Sequence, residues 1–178
     1  MFSNAHRALE WAYNTIERPI VKLSSINLMR RQPSGGIPNG LLVGLTVQDR
    51  HKQATNIIGM IGRLPDPAAQ EYIAAKFGGR HQKEDITILT YRGCDAIGVG
   101  LSGQAAVYKI MKGYFDGREA SYRDARRALK CRDQQAIMAK KCLYDVLDII
   151  HNHAMAEITV IFEEHGLIVS SVRVYSGT

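Results

Sequence analysis

The chain has 178 residues, 46% of them hydrophobic and 22% charged, with a net charge of +6, a balance that suits a globular protein with one sizeable core or two small ones. No apolar run approaches the roughly 18 residues of a membrane span, and the opening MFSNAHRALEW lacks the charged segment, apolar core and cleavage site of a secretory leader, so a cytoplasmic protein with no membrane partner is expected. Three cysteines, Cys94, Cys131 and Cys142, are odd in number and widely spaced with no C-x-x-C pair, which suggests neither a disulfide framework nor a cysteine zinc site, and Cys131 and Cys142 read as small hydrophobes in the packing.

In chain order, residues 4–31 read as helical, with Ala5, Leu9, Trp11, Ala12 and Ile16 at apolar spacing and Pro19 dividing two short helices. QPSGGIPNG, residues 32–40, is the best loop or hinge in the chain. Thr46 with Asp49 forms a capping-box pattern, and the helix it starts carries Ala54, Ile57, Ile58, Ile61 and Leu64 on one face. Asp66-Pro67 supplies an N-cap and a proline at the first helical position, for a helix through Phe77 that stops at Gly78-Gly79. The segment ITILTY is rich in β-branched residues, yet its neighbours are helical, so 83–94 is read as helix. AAVYKIMKGYF (105–115) is an amphipathic helix, and the tail LIVSSVRVYSGT alternates like a strand and has no assigned place. The expected fold is mainly α and multi-helical, with an N-terminal helical region at 1–79 and a C-terminal one at 80–178.

Residues 121–147, SYRDARRALKCRDQQAIMAKKCLYDVL, carry the densest signal. Ser121 and Asp124 again form a capping pattern, and Tyr122, Ala125 and Leu129 recur at helical spacing while Arg123, Arg126, Arg127 and Lys130 fall elsewhere on the wheel. Cys131 then reads as a half-buried turn plug, and Asp133 sits favourably at the start of a second helix that runs to about Glu164, where His165-Gly166 stops it. Ala136, Ala139, Leu143, Val146, Leu147 and Ile150 form its inner stripe, leaving Arg132, Gln134, Gln135, Ile137, Met138, Lys140 and Lys141 outward. This is the pattern of a helix-turn-helix over about 121–150. Between Arg118 and Lys141 eight Lys or Arg stand against three Asp or Glu, so the charge of the chain is concentrated here. Gln can read adenine and Arg or Lys guanine in a major groove, while the first helix lies across the phosphate backbone. An ordinary amphipathic hairpin with a solvated basic face is the plain alternative.

Three other patterns carry less. Gly98 to Gly103 spells G-x-G-x-x-G, but the possible strand Ile86–Tyr91 ends seven residues before it and no second strand with a terminal acid follows, so it reads as a loop between helices. His151 and His153 diverge by about 200° on a helix and cannot share a metal without further ligands. Asp49, Arg50 and His51 sit together only because Asp49 starts a helix. No catalytic constellation is expected, hence no enzyme, no metal and no cofactor.

SYRDARRALKCRDQQAIMAKKCLYDVL resembles region 4 of bacterial primary sigma factors at its cap, Ala125, Leu129, Cys131 and Ala136. The longer stretch YFDGREASYRDARRALKC through AKKCLYDVLDIIHNHAMAEI and EEHGLI resembles the carboxy-terminal part of Q-type phage antitermination proteins, to which LTVQDRHKQATNIIGMIGRL and the later KFGG are also similar. The resemblance implies a sequence-specific factor that binds double-stranded DNA at a late promoter, engages host RNA polymerase paused just downstream, and carries it through terminators; for such a factor the helices of residues 1–77 are expected to contact polymerase while residues 118–150 hold DNA. It assigns Arg132, Gln134, Gln135, Met138 and Lys141 to the groove and Arg123, Arg126 and Arg127 to phosphates. Lys130 and Lys140 complete the candidate DNA-binding set. The four-cysteine zinc module of some Q proteins is absent from this sequence. A terminase small subunit, which would form an oligomeric ring, a simple helix-turn-helix regulator, and a nucleotide-binding enzyme using Gly98–Gly103 are the alternatives.

Overall fold

The computed structural model describes residues 1–17, 46–79, 86–117 and 121–169; the expected hinge at 32–40, the second N-terminal helix after Pro19 and most of the strand-like tail lie outside them. The described residues are mainly helical: α1 (Ala5–Ile16), α2 (Val47–Ile61), α3 (Pro67–Gly78), α4 (Thr87–Ile97), a short 3-10 turn, α5 (Gln104–Phe115), α6 (Tyr122–Leu129) and α7 (Asp133–Glu164). None of these helices is long and apolar enough to cross a membrane. The chain divides into two compact units, Met1–Arg63 with Glu157–Thr178, and Leu64–Ala156.

Most helix ends follow from local chemistry. Thr46 Oγ1 accepts the Asp49 N–H while the Asp49 carboxylate accepts the Thr46 N–H, a complete capping box at the start of α2. Asp66 Oδ1 accepts the Ala68 N–H ahead of Pro67 and also the Arg92 guanidinium at 2.8 Å. α3 and α4 end on left-handed Gly79 and Gly98, and α7 on left-handed Gly166, where Leu167 N–H donates to Phe162 O in a Schellman arrangement.

In the first unit α1 packs on α2, burying Ala5, Ala8, Leu9, Ala12, Ala54, Ile57 and Ile61, while Phe2 stacks at a tilt on Trp11 and its N–H donates to Leu167 O beside an isolated parallel bridge to Ile168. Ile16, read as part of the apolar face, is exposed at the end of the last turn of α1. Arg63 Nη1 donates to His165 Nε2, and His165 Nδ1 lies 2.8 Å from Ile161 O, so this ring is fixed at both nitrogens.

The second unit owes its core to every one of its helices. Ala68, Tyr72 and Ala75 of α3 meet Leu89 and Cys94 of α4, Val107, Ile110 and Met111 of α5, Ala125 of α6, and Ala136, Leu143, Leu147 and Ile150 of α7. The β-branched ITILTY segment is helical from Thr87 because Ile86, Leu89, Thr90, Gly93 and Cys94 bury at helical spacing, and tertiary burial overrides weak propensity. Buried Thr90 satisfies its hydroxyl on Ile86 O at 2.6 Å. α4 has no side-chain cap of its own; Glu71 of α3 supplies one, accepting the Leu89 N–H at 2.7 Å and hydrogen-bonding the Thr87 and Ile88 N–H groups. Burial pushes the Glu71 carboxyl above its ordinary value despite these donors. The helix over Thr87–Tyr91 removes the strand that a dinucleotide-binding reading of Gly98–Gly103 requires; Gly98 is simply the left-handed stop of α4.

Candidate nucleic-acid interface

The turn between α6 and α7 is built from three residues, Lys130 to Arg132, and each end of it is fastened. Ser121 Oγ accepts the Asp124 N–H and donates to the Asp124 carboxylate at 2.7 Å, which starts α6 and holds that carboxyl below its usual value. α6 ends on Lys130, the one non-glycine residue with positive φ among the described residues (51°). Backbone that turns this sharply favours glycine or asparagine, so the lysine is there at a conformational cost of about 1–2 kcal/mol. Arg132 then caps α7, its N–H donating to Gln135 Oε1 at 3.1 Å and its carbonyl accepting the Ala136 N–H. Arg126 closes the turn from outside, reaching back to Asp133 Oδ1 at 2.9 Å.

Inside the turn, Ala125 and Ala136 are both fully buried, and Leu129 and Cys131 are half-buried against the same core. Both small side chains belong to the core that α5 shares with α6 and α7. Tyr122 differs from its expected inward place: it is 43% exposed, and the Arg123 guanidinium lies over its ring at 5.8 Å. Ala125 and half-buried Leu129, one turn apart, set the inward face of α6.

The expected DNA-binding residues therefore divide by what they already touch. Arg123, Arg127, Lys130, Arg132, Gln134, Met138 and Lys141 are exposed along α6, the turn and the start of α7. Arg126 is exposed but engaged by Asp133, which raises the pKa of its guanidinium. Gln135 is exposed, yet its carbonyl oxygen is committed to the Arg132 N–H. Lys140 is half-buried, with its ammonium 5.2 Å from the Tyr144 ring centroid, which turns it away from the outermost stripe of α7. The expected inner stripe holds: Ala136, Leu143, Leu147 and Ile150 are buried, and Ala139 and Val146 half-buried.

Behind the interface a polar chain runs out of the core that spacing alone does not signal. Tyr72 and Tyr114 hydroxyls are 3.2 Å apart, and Tyr114 donates to Asp148 Oδ1 at 2.6 Å. Burial, then the neighbouring carboxylate, drive the Tyr114 hydroxyl far above its ordinary value, so it stays a donor. Tyr144, Phe115 and His151 complete the aromatic cluster around Tyr72 and Tyr114. Its role is to anchor α7 on α3 and α5, with His151 used as a packing ring. No group of three His, Cys, Asp or Glu suited to a metal ion occurs among the described residues. No protein-family profile, curated protein or solved structure matches the chain.

Proposed function

We propose that the α6–turn–α7 unit is a helix-turn-helix that binds double-stranded DNA sequence-specifically, with the start of α7 in the major groove and α6 across the backbone. The observation that carries this reading is the concentration of exposed cations, Arg123, Arg127, Lys130, Arg132 and Lys141, around a turn whose inner side is sealed by Ala125 and Ala136. Gln134 and Met138 occupy the outermost positions of the first turns of α7, where base edges would lie, with Arg132 and Lys141 beside them in the groove; Arg123 and Arg127 of α6 would meet phosphates.

The transcriptional role belongs to the same proposal and is supported by the likeness of residues 121–147 to sigma region 4 and of the longer stretch from Tyr114 through EEHGLI to Q-type antiterminators. In it, the protein binds at a late promoter, engages host RNA polymerase and suppresses termination downstream, acting as a DNA-binding factor rather than an enzyme. The test is transcription in vitro on a template carrying the native promoter and its downstream terminator, with and without the protein. Read-through that depends on the DNA site is the expected result. DNA binding with no change in termination, accompanied by a ring-sized oligomer, would shift the function to DNA packaging.

A further inference from the structure

The outward face of α7 contains an apolar spot that charge alone does not explain. At about 100° per residue, Gln134, Met138 and Lys141 lie within about 60° of one another, opposite buried Ala136, with Ile137 beside them. Met138 is 73% exposed and Ile137 52%. Along the helix axis this aliphatic pair sits between exposed Gln134 and exposed Lys141, and at the same end of α7 lie exposed Arg132 and Arg126, which reaches Asp133 from α6. Two large apolar side chains held in water at the middle of a cationic surface fit a polyanion that brings its own apolar groups. Duplex DNA does so in one place, the major groove, where each thymine presents a C5-methyl group beside hydrogen-bonding edges. Duplex RNA does not: its major groove is too deep and narrow for side chains, and uracil lacks the methyl.

We propose that Ile137 and Met138 read thymine C5-methyl groups, so that the preferred site carries thymines at fixed positions next to the base read by Gln134. This rests on the DNA-binding reading above and adds to it the chemical identity of the bases.

The experiment uses the intact protein. A random-sequence DNA duplex library is selected for binding, and the enriched duplex is remade with uracil replacing thymine at single positions, which removes only the methyl and leaves every hydrogen-bonding edge unchanged. Affinity is expected to fall about four-fold at each contacted thymine, the size of one buried methyl group. Ile137→Ala and Met138→Ala should each bind the thymine and uracil forms of one position equally. Both side chains are exposed and alanine is the best helix former, so the variants keep the fold, which melting curves check. An enriched duplex indifferent to uracil at every position overturns the thymine reading and leaves DNA binding standing, the aliphatic pair then being free for a protein partner. Variants that still discriminate the methyl also overturn it. Failure of the library to enrich any sequence overturns the DNA-binding reading itself, and this inference with it.

Discussion

Adjacent residues with the same chemistry have different duties here, and substitution separates them. Gln134 and Gln135 look interchangeable, but only Gln135 caps α7 through Arg132. Gln134→Ala should weaken binding to the selected DNA by about 1–3 kcal/mol while leaving random DNA unchanged, the loss of one base-edge contact. Gln135→Ala should instead lower stability by about 1 kcal/mol, as expected for a lost cap, and weaken both DNAs alike; titrations on the two DNAs together with a melting curve distinguish them. Arg126 and Arg127 diverge similarly. Arg127→Ala should reduce the slope of log affinity against log salt by about one, whereas Arg126→Ala, which breaks the contact with Asp133, should lower the melting temperature first. None of this pairing is written in the spacing of the sequence, which shows only that all four side chains face away from the core. A pH scan checks the caps: Asp49 and Asp124 are held below their ordinary value of 3.8 by Thr46 and Ser121, so their contribution is complete above 3.8 and lost as pH falls through the lower native values. Replacing either with Asn should flatten the acid limb of stability against pH.

At the scale of elements, sequence reading succeeds where a helix carries its own punctuation and stops where the determinant comes from elsewhere. Thr46 with Asp49, Asp66-Pro67, Gly78-Gly79, Ser121 with Asp124 and Gly166 are local signals, and each marks its boundary in the fold. The start of α4 has no such mark because its cap is Glu71, on another helix. Gly93 is equally silent: a Cβ there would come within 2.6 Å of Met111, 2.8 Å of Leu143 and 2.8 Å of Val107, so side chains of α5 and α7 fill the space beside it. Gly93→Ala should cost about 1–3 kcal/mol by overpacking, read from denaturant midpoints. Lys130→Gly should act in the opposite sense, stabilising the turn by about 1 kcal/mol while reducing the salt dependence of DNA binding. Ala136→Glu forces a carboxylate into the sealed side of the turn and should abolish both folding of the motif and binding; native melting would show that the register of α7 is wrong.

For the whole molecule, the legible part was a mainly helical chain with its basic charge gathered near residues 118–141, while the grouping of helices was not legible, because α3 shares a core with α6 and α7 far along the chain. A fragment beginning near residue 80 would lack Ala68, Tyr72 and Ala75, so the useful dissection keeps Leu64–Ala156. That fragment should melt cooperatively and bind the selected DNA with undiminished affinity, yet fail to support terminator read-through, since it keeps α3 but lacks α1 and α2, the other helices proposed to face polymerase. Read-through at full efficiency would remove α1 and α2 from that role. The placing of Phe2 beside Leu167 and Ile168 has a further consequence, for biogenesis. Residues 64–156 are contiguous and can complete their core as soon as they leave the ribosome, whereas Phe2 must wait for about 165 further residues before its partner exists. The unit that holds α1 and α2 is thus completed only after the contiguous unit made between its two parts, and until then α1 has α2 as its packing partner.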